Sequence, residues 1–141
     1  MADSHTDVSM KAVINKILAV TGVTAIVGTR VNIPSPTDKT FPHVVVTKLN
    51  DSPSHGLGFN KPASVLGRVQ VEGHCETYAE ALDLMSAIES GLDGATVAMS
   101  GWGTVRLEGI GIPVRDYEVG NKTLYMGARR YKFLMAGTNV S

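Results

Sequence analysis

Residues Ser64–Leu92 read SVLGRVQVEGHCETYAEALDLMSAIESGL, and the change of period inside this stretch decides the fold. From Val65 to His74 the chain alternates like a strand. Val65, Gly67, Val69, Val71 and Gly73 share one face, and Leu66, Arg68, Gln70, Glu72 and His74 share the other. One face suits a core and the other is largely polar, the pattern of a sheet with helices on one side only. From Tyr78 the period lengthens. Tyr78, Leu82, Met85, Ile88 and Leu92 make an apolar stripe, which predicts a helix from Tyr78 to Ser90. Thr77 and Glu80 form a capping box, the hydroxyl accepting an amide of the first turn while the carboxylate reaches back. Gly91 reads as the helix stop.

Working outward toward the N-terminus, Pro34–Pro42 is a loop, because its prolines lack amide donors and push their predecessors toward extended forms. His43–Asn50, HVVVTKLN, is a strand by its β-branched run. Met10, Val13, Ile14, Ile17 and Leu18 predict a first helix over Val8–Val20, with Asp7 as its N-cap and Gly22 as its stop. Val23–Val27 adds a helical turn before Gly28, and Arg30–Ile33 reads as a short edge strand. Between the strands, Asp51–Ala63 is a long turn-rich connection with two Gly, two Pro and two Ser. It reads either as a flexible hairpin loop or as a segment that orders against a partner.

Toward the C-terminus, Thr96–Met99 is an apolar run that local pattern does not assign. Gly101–Gly103 is a turn, Thr104–Glu108 a strand, Gly109–Pro113 irregular, and Val114–Glu118 a further strand. Val119–Lys122 is a hairpin turn leading into the longest strand, Thr123–Ala136. In that strand Tyr125, Gly127, Arg129, Tyr131, Phe133 and Met135 share one face. Leu124, Met126, Ala128, Arg130, Lys132 and Leu134 share the other, so both faces read as mixed. Helices at both ends of a block of strands, without regular alternation, argue α+β in a single domain of 141 residues, with residues 1–6 and 137–141 as flexible ends.

Lys+Arg and Asp+Glu both number 13, so the chain carries no net charge and lacks the electrostatic footprint of a nucleic-acid or anionic-membrane binder. Few charges and no net charge suit a subunit that buries surface against its own copies. Cys75 is the lone cysteine, which excludes an intrachain disulfide. The N-terminus lacks the basic start and apolar core of a signal peptide, and no apolar run approaches a bilayer span. These features predict a soluble protein without an export signal.

No catalytic constellation is visible. His74 and Cys75 are adjacent and point to opposite strand faces, so they do not share an ion, and His43 and His55 add no ligand spacing. His55-Gly56-Leu57-Gly58 lacks the Lys-Ser/Thr of a phosphate loop, and Arg106 stands where a dinucleotide fingerprint needs glycine. Cationic Lys122, Arg129, Arg130 and Lys132 interleave with aromatics as single-strand binders do, but they split between two faces of a neutral chain.

The order of features resembles the tail-completion, or tail-terminator, proteins of long-tailed bacteriophages and prophages. The resemblance spans residues 10–136. It is carried by Val23–Val31, by Phe41–Val46, by Arg68–Glu72 running into Glu76–Ala81, and by Val105–Glu108 before Arg115–Glu118 and the last strand. It implies a mainly antiparallel sheet of about four to six strands with two main helices on one face. It implies a hexameric ring in the virion, assembled in the host cytoplasm, that caps the head-proximal end of the tail tube. Such a ring ends tube polymerisation and docks the head connector, with DNA passing through it. The implied partners are further copies of the chain, the tube protein and the head-completion protein, with no enzyme activity, cofactor, metal or membrane.

The candidate contact residues come from exposure and loop length: Asp51, His55, Leu57, Phe59 and Lys61 in the long connection, and Arg129 and Tyr131 on the last strand. The alternative function is a small-ligand-binding or regulatory α+β domain with its pocket between helix and sheet.

Overall fold

A computed structural model describes residues 5–32, 41–55, 62–99 and 103–136, and the side chains of 8–31, 41–50, 64–99 and 103–135. In chain order the elements are α1 (His5–Leu18), α2 (Thr21–Val27), β1 (Val31–Asn32), β2 (His43–His55), β3 (Pro62–Cys75) and α3 (Tyr78–Leu92). There follow β4 (Thr96–Met99), β5 (Gly103–Arg106), β6 (Glu108–Val119) and β7 (Lys122–Ala136). The main sheet has the order β1-β2-β3-β7-β6. Its four long strands are antiparallel, and β1 joins the edge of β2 in parallel. β4 and β5 pair antiparallel as a second, two-stranded sheet.

The alternation of β3 places its faces as read: Val65, Val69, Val71 and Cys75 are fully buried under the helices. Each such Val contributes about 1.5–3 kcal/mol by leaving water. Gly73 and Gly127 are cross-strand partners. A Cβ on Gly73 would lie 2.6 Å from Leu84, and one on Gly127 would collide with Met85. The two glycines thus thin the sheet where α3 lies on it. That choice turns α3 away from the stripe its large residues suggest. Ala81, Leu84, Ile88 and Leu92 are buried, whereas Tyr78 and Leu82 are 52% and 45% exposed. The cap holds, with Thr77 Oγ1 accepting from the Glu80 amide at 3.1 Å.

Two glycines and Asp7 differ in role from the sequence reading. Gly91 sits inside α3, where a Cβ would stand 2.5 Å from Val20. The chain leaves the helix through Asp93 and Gly94, and Gly94 takes the positive φ. Gly22 lies inside α2 against Ala87, and α1 ends earlier, at Leu18. Asp7 falls within α1 rather than before it, because the helix begins at His5. The axis turns by 84° between α1 and α2, and no single helix among the described residues is long and apolar enough to cross a membrane.

β2 and β3 extend well past the predicted strands, pairing as far as His55↔Pro62, so most of the turn-rich connection is ladder. Pro53 is tolerated because β1 pairs only with Val44 and Val45, which leaves the outer edge of β2 open along the rest of its length among the described residues. Pro62 opens its strand, where a missing amide costs little. The predicted strand Thr104–Glu108 is in fact divided. Leu107, fully buried, bonds Gly94 and Ala95 through its own backbone, and the chain passes there from the small sheet to the large one. Gly109–Pro113 belongs to β6, with a bulge between Ile112 and Arg115 that accommodates Pro113 on an edge strand. Thr96–Met99 is β4, which buries Val97 and Met99. The β6–β7 turn is Gly120-Asn121, with Gly120 at φ 63°. The turn placed at Gly101–Gly103 lies outside the described residues except for Gly103, which opens β5. Most of the Pro34–Pro42 loop and the end at 137–141 lie outside them too; of the flexible end assigned to 1–6, His5 and Thr6 belong instead to α1.

Candidate interaction surface

The helices and the small sheet cover one face of the main sheet; among the described residues the other is open along its Arg68–Leu134 end, while His43, Val45, Leu124 and Ala128 on the same face are buried. From Arg130 to Met135 of β7 the two faces separate clearly. Tyr131, Phe133 and Met135 are buried on the helix side, while Arg130, Lys132 and Leu134 project from the open side. The pairing sets Arg68, Lys132 and Glu108 in one cross-strand row, and Gln70, Arg130 and Ile110 in the next. Arg130 Nε donates to Gln70 Oε1 at 2.9 Å, and Lys132 lies 3.7 Å from Glu108. A groove of about 310 Å³ opens here, lined by Leu66, Arg68, Arg106, Glu108, Lys132, Phe133 and Leu134. By strand alternation Leu66, Arg68, Lys132 and Leu134 belong to the open side, whereas Phe133 faces the helices and Arg106 comes from β5, so the groove lies at the margin of the open face, with no residue of α1, α2 or α3 in its lining. Leu134 and Ile110 are 58% and 69% exposed, so the face offers apolar surface as well as positive charge.

At the other end of the open face runs an aromatic band. Phe41 and His43 have ring centroids 4.8 Å apart, His43 stacks on His74 at 4.9 Å, and Tyr117 meets His74 edge-on at 5.7 Å. Tyr117 Oη reaches His74 Nδ1 at 2.9 Å, passing over β7 to do so. Burial first, then the neighbouring His43, lowers the pKa of His74 to about 4, so the ring is neutral at ordinary pH. Burial, Cys75 and Glu72 raise the Tyr117 phenol above its usual range. The alternation of β3 and β6 could have paired His74 with Tyr117 only if the strand order were known.

Arg129 and Tyr131 come together, but facing inward. Tyr131 is fully buried and donates to Asp93 Oδ1 at 2.6 Å. Arg129 Nε donates to the same oxygen at 3.0 Å, and its guanidinium also pairs with Asp93 Oδ2. Burial, the bond to Asp93 and its charge push the Tyr131 phenol up, with Arg129 acting in the opposite sense. For Arg129 burial opposes the charge, and the hydrogen bonds and charges of Asp93 and Tyr131 outweigh it, so its pKa rises. Gly109 and Gly111 make room: a Cβ there would lie 2.6 Å from Tyr131 and 2.7 Å from Arg129. The cluster therefore ties the exit of α3 to β6 and β7, and these two residues serve as an internal fastening rather than as offered surface.

Of the other candidates, Asp51 and His55 sit on β2, with backbone partners Gly67 and Pro62. Leu57, Phe59 and Lys61 lie outside the described residues. The structure does not join this hairpin arm to the Asp93 cluster. Among the described residues, no three His, Cys, Asp or Glu side chains gather as a metal site would require.

The surface on offer is thus a sheet face of an α+β subunit on which cationic and apolar side chains stand exposed. Residues 11–122 match the model of the family described as "Tail completion protein gp17", and the chain belongs to that family. It is accordingly a structural protein of phage-type virion tails. No curated protein matches it by sequence. Among solved structures, a chain of the "Virion of native gene transfer agent (GTA) particle" shares the fold. The TM-score is 0.70 at 16% identity, covering 96% of this chain and all of that one.

Proposed function

We propose that this tail protein assembles as a hexameric ring at the head-proximal end of the tail tube. The ring halts addition of tube subunits and presents the surface on which the head connector docks. The observation that supports this best is the uncovered sheet face in a tail completion protein, with Ile110 and Leu134 exposed. Apolar surface of that kind on a small neutral chain is suited to cover by other subunits. The hairpin that carries Asp51 and His55, with Leu57, Phe59 and Lys61 in the segment joining its arms, is the element proposed to order on the tube or along the lumen of the ring.

Replacing residues 56–61 by a two-residue Asn-Gly turn should leave the fold intact and abolish capping, giving overlong, headless tails. Head-joined tails of normal length from this variant would remove the hairpin from the proposal. Electron microscopy and sedimentation of the full chain, with and without tube protein, test the ring itself; monomers under both conditions would refute it.

A further inference from the structure

We propose that the contact closing the ring is head-to-tail, with the open sheet face of one copy receiving the outer side of α3 of the next. This deepens the ring reading and rests on it. The sheet face is cationic on balance: Arg68 and Lys132 line the groove beside Glu108, and Arg130 projects in the neighbouring row, with Glu72 as the further acid of β3 on that face. The α3 side is its complement. Residues 76–92 carry Glu76, Glu80, Asp83 and Glu89 and no Lys or Arg. On the same helix Tyr78 and Leu82, one turn apart, leave half their surface in water. Each side thus pairs exposed apolar groups with a net charge, positive on the sheet face, where Arg68, Arg130 and Lys132 outnumber Glu72 and Glu108, and negative on α3.

The placement of the two surfaces decides the kind of contact. α3 packs on the helix side of the sheet through Leu84 and Met85, and Arg68, Arg130 and Lys132 lie on the far side by strand alternation. One copy cannot bring its own two surfaces together. Like surfaces repel, since groove against groove sets cations on cations, and α3 against α3 sets acids on acids. The favourable pairing joins different patches, and repetition of such a contact yields a ring when the rotation closes. A 15-residue helix is about 22 Å long, enough to cross the four long strands.

The test uses two full-length variants, Arg130→Glu/Lys132→Glu on the sheet face and Leu82→Lys/Asp83→Lys on α3. All four side chains are exposed, and thermal melts check that both variants fold. Analytical ultracentrifugation should show rings for the unmodified chain and monomers for each variant. An equimolar mixture of the two should associate again, because one pair of faces is intact and the reversed charges of the other pair complement each other. The milder R130Q/K132Q should weaken association at least tenfold. Rings from either charge-reversed variant would overturn this interface while leaving the ring standing, and a mixture that stays monomeric would overturn it as well. An unmodified chain that stays monomeric both alone and with tube protein would overturn both readings. Intact rings whose binding of a DNA oligonucleotide is lost in R130E/K132E would assign the cationic face to nucleic acid instead.

Discussion

Tyr131 donates its hydroxyl to Asp93 at 2.6 Å, from a strand 38 residues further along the chain, and Arg129 shares the same carboxylate. One carboxylate therefore holds two side chains of β7 and fixes the point where α3 ends. Tyr131→Phe removes one of its donors and should cost about 1–2 kcal/mol. Asp93→Ala leaves a buried hydroxyl and a guanidinium only 14% exposed without their shared acceptor, and should cost about 2–4 kcal/mol. The double variant should lose clearly less than the sum, since both changes break the same bond. Urea unfolding of the three variants measures this, and strict additivity would show that the cluster does not act as a unit.

Two helical glycines should respond in opposite ways to the same substitution. At Gly22 an added methyl meets Ala87 at 3.4 Å, an ordinary contact, so Gly22→Ala should gain up to about 1 kcal/mol of helix propensity. At Gly91 the methyl would sit 2.5 Å from Val20, inside its surface. The steric cost of about 1–3 kcal/mol exceeds the propensity gain, so Gly91→Ala should destabilise by prising α3 from the α1–α2 corner. Thermal unfolding of the two variants should shift in opposite directions; a rise for Gly91→Ala would mean that Val20 yields freely.

These glycines also mark the limit of what the chain discloses by itself. The faces of β3 and the Thr77 cap were legible because both are set by residues within a few positions of each other. The phase of α3 was not, because it depends on Gly73 and Gly127, which lie on two strands and admit Leu84 and Met85. Local pattern treats Gly91 as a breaker, and only the position of Val20 shows it to be a spacer. Pro53 concealed the extension of β2 because its tolerance depends on an edge that sequence does not reveal. Arg129 and Tyr131 stood out by residue type, but their partner Asp93 lies on another element and reverses the direction in which they face. The family was legible as a whole because the order of elements survives when individual roles are misread.

His74 should make stability fall in mild acid. Its folded pKa of about 4 lies below the ordinary 6.5, so between these values the unfolded chain binds more protons than the folded one. The stabilisation is therefore complete above pH 6.5 and is lost as pH falls toward 4, by about 3 kcal/mol at most. The phenol of Tyr117 can accept from a protonated ring, so the loss comes from burial of charge beside His43 rather than from a broken bond. His74→Gln should flatten the dependence of melting temperature on pH across this window. A slope unchanged by the substitution would assign the acid sensitivity elsewhere.

Cys75 should be silent in the folded chain and reactive only on unfolding. The side chain is fully buried at the end of β3, and burial, with the charge of Glu80, pushes its thiol pKa up to about 12. The thiolate is the reacting form, so both access and ionisation oppose attack by a thiol reagent. It lies in the core under the helices, so exposure requires the helical layer to leave the sheet. The labelling rate at neutral pH should then track global stability. Gly91→Ala should raise it in proportion to the opened population, and Gly22→Ala should lower it. Rapid labelling of the folded protein, insensitive to both substitutions, would show that this end of the sheet opens locally.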